Sequence, residues 1–89
     1  MIKIIKAEPL NASRLRLTFS DGMQGDYDFA PLLAHDTLLT RPLRNPEAFA
    51  DFFLELGALC WKNGLELSPA ALHRELHDAG KLLRSREAA

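Results

Sequence analysis

The sequence predicts a small α+β domain, and three observations carry that expectation. Arg14 to Phe19 and Met23 to Phe29 alternate apolar and polar side chains around Ser20-Asp21-Gly22. A second apolar run, Leu54 to Trp61, is interrupted by Gly57-Ala58. After Ser68-Pro69, leucines recur at helical spacing. The expected architecture is a small twisted antiparallel sheet, a three-stranded meander plus a second hairpin, with a C-terminal helix packed on one face.

Residues 2 to 8 read as the first strand, although Ile2, Ile4 and Ile5 do not select a single face. Pro9, Asn11 and Ser13 supply the turn into the second strand, where Leu15, Leu17 and Phe19 alternate with Arg14, Arg16 and Thr18. The loop to the third strand is decided by side-chain faces. A two-residue Asp21-Gly22 loop would set Leu15 against Asp28 and bury carboxylates. A three-residue loop with Gly22 left-handed sets Leu15 against Tyr27 and Phe19 against Met23. It also sets Arg14 against Asp28 and Arg16 against Asp26, a compensated charge ladder on the outer face.

Ala30 to Ala34 read as a short helical turn, and the prolines of Arg41 to Pro46 forbid continuous helix there. Asn45 caps a short helix that starts at Pro46, runs to about Phe52 and turns Phe49 inward. Leu54, Leu56, Leu59 and Trp61 share a face if Gly57-Ala58 is a type II′ turn. Trp61 is then a core anchor among those leucines, facing the helix. Asn63-Gly64 turns the chain again. Ser68-Pro69 starts a helix with Leu72, Leu76, Ala79 and Leu83 on one stripe, which Gly80 can end early. Residues 1 to 84 form the expected single domain, and 85 to 89 a frayed C-terminal tail.

Eighty-nine residues at 47% hydrophobic and 26% charged content suit one core. Eleven basic against twelve acidic residues leave a net charge of −1, which argues against direct nucleic-acid binding. The single Cys60 cannot pair within the chain, and no secretory signal pattern opens it, so a cytoplasmic protein is expected. The longest apolar stretch is far short of the ~20 residues of a membrane span.

Four short motifs occur in order: Phe19-Ser20-Asp21-Gly22, Asp28-Phe29-Ala30-Pro31-Leu32-Leu33, Pro42-Leu43-Arg44-Asn45-Pro46-Glu47-Ala48-Phe49 and Trp61-Lys62-Asn63-Gly64-Leu65-Glu66-Leu67. Together they resemble the bacterial domain-of-unknown-function family numbered 2442, from about Lys3 to Leu76. The resemblance implies no settled activity and carries over no functional residues. It does imply a partner, because many members look like one half of an arrangement resembling toxin and antitoxin pairs. This chain has Asn45 and Glu66 where aspartates are common in the family.

Candidate chemistry reduces to simpler accounts. His73 and His77 are four apart on the predicted helix, a spacing that can serve one metal ion. No third ligand is marked, Glu75 is misplaced for a zinc-protease motif, and a solvated helix margin explains both histidines. Cys60, beside Trp61 on a strand, reads as a small buried apolar residue rather than a nucleophile. Asp26 and Asp28 are neutralised by the arginines opposite, and Lys81, Arg84 and Arg86 suit a helix C-terminus. The sequence therefore leads to no catalytic, cofactor or metal residues. It leads to a non-catalytic protein-interaction module, antitoxin-like by resemblance, whose partner is another small protein or a second copy. The alternative is a DNA-associated regulatory component.

Overall fold

The computed structural model describes residues 1–85. Strands β1 (Ile4–Pro9), β2 (Arg14–Phe19) and β3 (Met23–Asp28) form the expected antiparallel meander. Its register follows the face argument: Arg14 pairs with Asp28, Leu15 with Tyr27 and Arg16 with Asp26. Gly22 takes φ +85°, and its N–H donates to the Phe19 carbonyl at 3.0 Å. A side chain with a Cβ would be strained there. The ambiguity in the first strand has a physical cause. A bulge between Ile4 and Lys6 inserts Ile5 as an extra residue, so Ile4 is 2% exposed and Ile5 62%.

The charge ladder is half formed. Arg16 Nε and Nη2 donate to the two Asp26 carboxylate oxygens at 2.8 and 3.2 Å. Asp28 instead accepts from the Ser13 hydroxyl at 3.2 Å and the Ala30 N–H at 2.9 Å. Among the described residues it makes no ion pair with Arg14. The Asp28 carboxylate is thus used to start α1 (Ala30–Ala34), directly after the fully buried Phe29.

A 3-10 turn over Arg41–Arg44 fills the proline-containing connector. The Asn45 side chain accepts from the Glu47 and Ala48 amides and opens α2 (Pro46–Ala50), which ends two residues before the expected Phe52. The chain turns at Asp51 and enters β4 (Phe53–Glu55).

The second hairpin exists, but its turn is one residue earlier than expected. Strand β5 (Ala58–Cys60) pairs Leu54 with Leu59 and Glu55 with Ala58, so Leu56-Gly57 is the turn. Both residues have positive φ, +52° and +85°, as a type I′ turn requires. Leu56 is therefore 90% exposed and is not a neighbour of Trp61 in the core. The Gly57 carbonyl accepts from the Ile4 N–H at 2.9 Å, and a Cβ on Gly57 would meet the Lys3 Cβ at 2.5 Å. The docking of the hairpin tip on β1 thus selects the turn.

A third strand, β6 (Glu66–Leu67), pairs with β5, and these strands make a sheet of their own in the order β4-β5-β6. Helix α3 (Pro69–Asp78) starts at the Ser68 cap, whose hydroxyl accepts from Ala71 N–H at 3.2 Å. It ends at Gly80: the Lys81 N–H reaches Leu76 O at 2.9 Å and the Gly80 N–H reaches His77 O at 3.0 Å, a Schellman pair. Leu83 consequently leaves the helical stripe and enters β7 (Leu83–Arg84), which pairs with β3 and completes a four-stranded sheet β1-β2-β3-β7. Ser85, expected to begin the frayed end, is 1% exposed and donates its N–H to Gly22 O at 2.8 Å. The rest of the expected tail, 86–89, lies outside the described residues.

Helix α3 covers one sheet face through Leu72 and Leu76, and Gly25 permits its approach, since a Cβ there would meet Leu76 Cδ1 at 3.0 Å. Trp61 is 3% exposed, as an anchor should be. Its ring meets Phe49 at 5.7 Å and Phe29 at 6.2 Å between centroids, and its Nε1 donates to Phe49 O at 2.8 Å. An aromatic triangle thus ties α2 to both sheets. Burial of each such ring contributes about 1.5–3 kcal/mol relative to exposure.

Candidate functional site

The side chains weighed from the sequence are not brought together. His73 Nε2 lies 2.8 Å from Asp21 Oδ2, and its ring stands edge-on to Phe19 at 4.9 Å. His77 is exposed beside Asp78, with Nδ1 at 3.3 Å from Oδ1. The two imidazoles therefore have separate partners, and no group of three or more His, Cys, Asp or Glu among the described residues could hold a metal ion. Cys60 is buried with its thiol directed at the Ala58 carbonyl, and burial pushes its pKa up, away from the reactive thiolate.

Electrostatics around the sheet stabilise ordinary charge states. The Arg16 guanidinium holds the Asp26 carboxyl below its usual range, against a smaller opposing effect of burial. Partial burial pushes Asp21 up, but hydrogen bonds from Met23 N–H and His73 outweigh it, so its pKa is also lowered. Tyr27 is pushed up to about 12 by burial and by the 3.0 Å bond it donates to Glu75. Tyr27–Glu75 and Asp21–His73 thereby pin α3 from two sides of its apolar stripe.

A different feature is concave and apolar. An apolar groove of about 440 Å³ opens between α1, the 3-10 turn and α2. Leu33, Ala30 and Ala34 of α1, Leu43 of the turn, and Pro46 and Phe49 of α2 line it, with Ala12 and Ser13 from the β1–β2 connection. The one charged side chain at its edge is already engaged. Arg44 Nε donates to Leu33 O at 2.8 Å, and Nη2 to Ala34 O and His35 O at 3.4 and 3.3 Å. These bonds satisfy the C-terminal carbonyls of α1 and fasten it to the 3-10 turn.

The segment that follows α1 is also organised. The Thr40 hydroxyl donates to His35 O, Arg41 pairs with Asp36, and Asn63 Nδ2 donates to Leu39 O at 2.8 Å. This frame presents Leu38 at 82% exposure. Sequence reasoning missed the groove because its lining comes from three elements of at most five residues, none long enough to show a period. The available signal was the run of apolar residues between Ala30 and Phe49 that neither sheet nor long helix absorbs.

No helix among the described residues is long and apolar enough to cross a membrane. No curated protein and no solved structure matches the chain. A family model does match, over residues 4–78, and that span includes both sheets' principal strands and all three helices up to Asp78. It carries the description "protein of unknown function" and covers the four motifs read from the sequence. The chain belongs to the DUF2442 family.

Proposed function

We propose that the chain is a non-catalytic protein-interaction module of the bacterial cytoplasm that uses the α1–α2 groove to hold another small protein, in an antitoxin-like pairing. The groove is the observation that carries this reading. Its lining is mostly apolar, its single cation is consumed by backbone carbonyls, and Leu38 stands exposed on the adjoining segment. Apolar concavities rimmed by polar groups are what protein surfaces present to partners. A domain of this size also gains stability from association.

The test is affinity purification of the tagged chain from its native host, with Ala34→Arg in parallel. Ala34 is exposed at the end of α1, so the arginine alters the groove and leaves the core intact. The expected result is a small protein in stoichiometric amount with the parent chain, and its loss with the variant. Identical recoveries with both chains, or a parent chain that elutes alone as a monomer, would refute the proposal.

A further inference from the structure

The outer face of the four-stranded sheet carries a second concavity, of about 330 Å³, lined by Arg14 and Arg16 of β2, Gln24 and Asp26 of β3, Lys81 of the link that follows α3, and Leu83 of β7. Three cations meet one carboxylate there, in a chain of net charge −1. The cations differ in their engagement. Arg16 is fixed in plane by its two bonds to Asp26, which leave Nη1 unengaged among the described residues. Arg14 stands across from Asp28, whose Oδ1 takes the bonds from Ser13 and Ala30; Arg14 makes no hydrogen bond or ion pair among the described residues, and its charge acts through space on Asp26. The Lys81 ammonium likewise has no partner among them, while its backbone is held by the Schellman bond to Leu76. Glu8, the other carboxylate opposite Arg16, pairs with Lys6 at 3.7 Å.

We propose that this pocket binds the phosphate group of a small phosphate monoester. Three cations against the one carboxylate leave the lining an excess of two positive charges, which matches a phosphate dianion, and an arginine held by a carboxylate presents donors in the fork that phosphate oxygens accept. The Gln24 amide adds a neutral donor, and Leu83, 68% exposed, offers an apolar wall for the organic part. The volume lies at the lower end of small-molecule sites. A nucleic-acid strand would require a basic surface extended along the molecule, and the cations here converge on one concavity.

Amide NMR titration at constant ionic strength tests this, with ribose 5-phosphate, inorganic phosphate, ribose and a short DNA duplex as probes. Ribose 5-phosphate is expected to give saturable shifts at Gln24 to Asp26 and Gly80 to Leu83, at lower concentration than inorganic phosphate, and ribose none. Arg14→Gln and Lys81→Gln, both at exposed positions, should each weaken binding about tenfold or more while the remaining spectrum is preserved. Lack of saturation by roughly 10 mM ester, a weak-binding limit, would overturn the proposal. So would an equal affinity for inorganic phosphate, an unchanged response in Arg14→Gln, or a stronger response to the duplex at matched phosphate concentration.

Discussion

Replacement of Trp61 separates two contributions that the core makes through one side chain. The ring is 3% exposed between Phe29 and Phe49, and its Nε1–H satisfies the Phe49 carbonyl at 2.8 Å. Trp61→Ala removes the ring and the donor together, and truncation of a buried aromatic costs about 3–5 kcal/mol. Trp61→Phe retains most of the apolar area but leaves a buried carbonyl unpaired, a penalty of about 1–3 kcal/mol. A domain of this size holds a stability near the lower end of ~5–15 kcal/mol. The alanine variant should therefore be largely unfolded at physiological temperature, and the phenylalanine variant folded with a lower urea midpoint and an unchanged slope. Far-UV circular dichroism during urea titration reads both. The parent's tryptophan should emit in the blue and resist acrylamide. A phenylalanine variant as stable as the parent, or an alanine variant that loses less than about 1 kcal/mol, would refute the anchor role.

The remaining predictions concern backbone and charge. Leu56→Asn should raise the urea midpoint, because asparagine accepts φ +52° more readily than leucine and a side chain 90% exposed gives up no packing; an unchanged or lower midpoint would contradict the type I′ assignment. Gly57→Ala should destabilise through its positive φ and its contact with Lys3, and hydrogen exchange at the Ile4 amide should rise with it. Gly25→Val should force α3 away from the sheet at a cost of about 1–3 kcal/mol, seen in thermal unfolding. Asp21 and Asp26 have lowered folded pKa values, so their contribution is complete above the unfolded carboxylate value near ~4 and is lost as pH falls through the folded values. Acid unfolding should begin in that window, and the double variant Asp21→Asn with Asp26→Asn should have a flatter acid limb.

The meander was legible because period-two alternation and one glycine overdetermine its register: a slip would have buried Asp26 and Asp28. The second hairpin was legible as a hairpin but not in its turn. Leucine carries no signal for left-handed backbone, and the choice of Leu56-Gly57 is made by a distant contact, the Gly57 carbonyl on Ile4. The end of α3 was marked by Gly80, yet Leu83 fits a helical stripe as well as it fits a strand, and only pairing with Gln24 decides between them. Strand β6 has two residues and no period to read. For Arg14 the sequence named the right neighbour and the wrong bond, because the same Asp28 carboxylate also starts α1. The groove and the basic pocket depend on where short elements meet, which tertiary packing determines.

In the proposed pairing the α1–α2 groove is the surface that meets the partner protein. Hydrogen–deuterium exchange of the chain, alone and with the protein that co-purifies with it, tests this most directly. Protection on complex formation should concentrate in the amides of Leu32 to Ala34, Leu43 to Asn45 and Glu47 to Phe49, and Ala34→Arg should abolish it. Protection confined to the β1 edge or to the outer face of the four-stranded sheet, with the groove amides unchanged, would contradict the account.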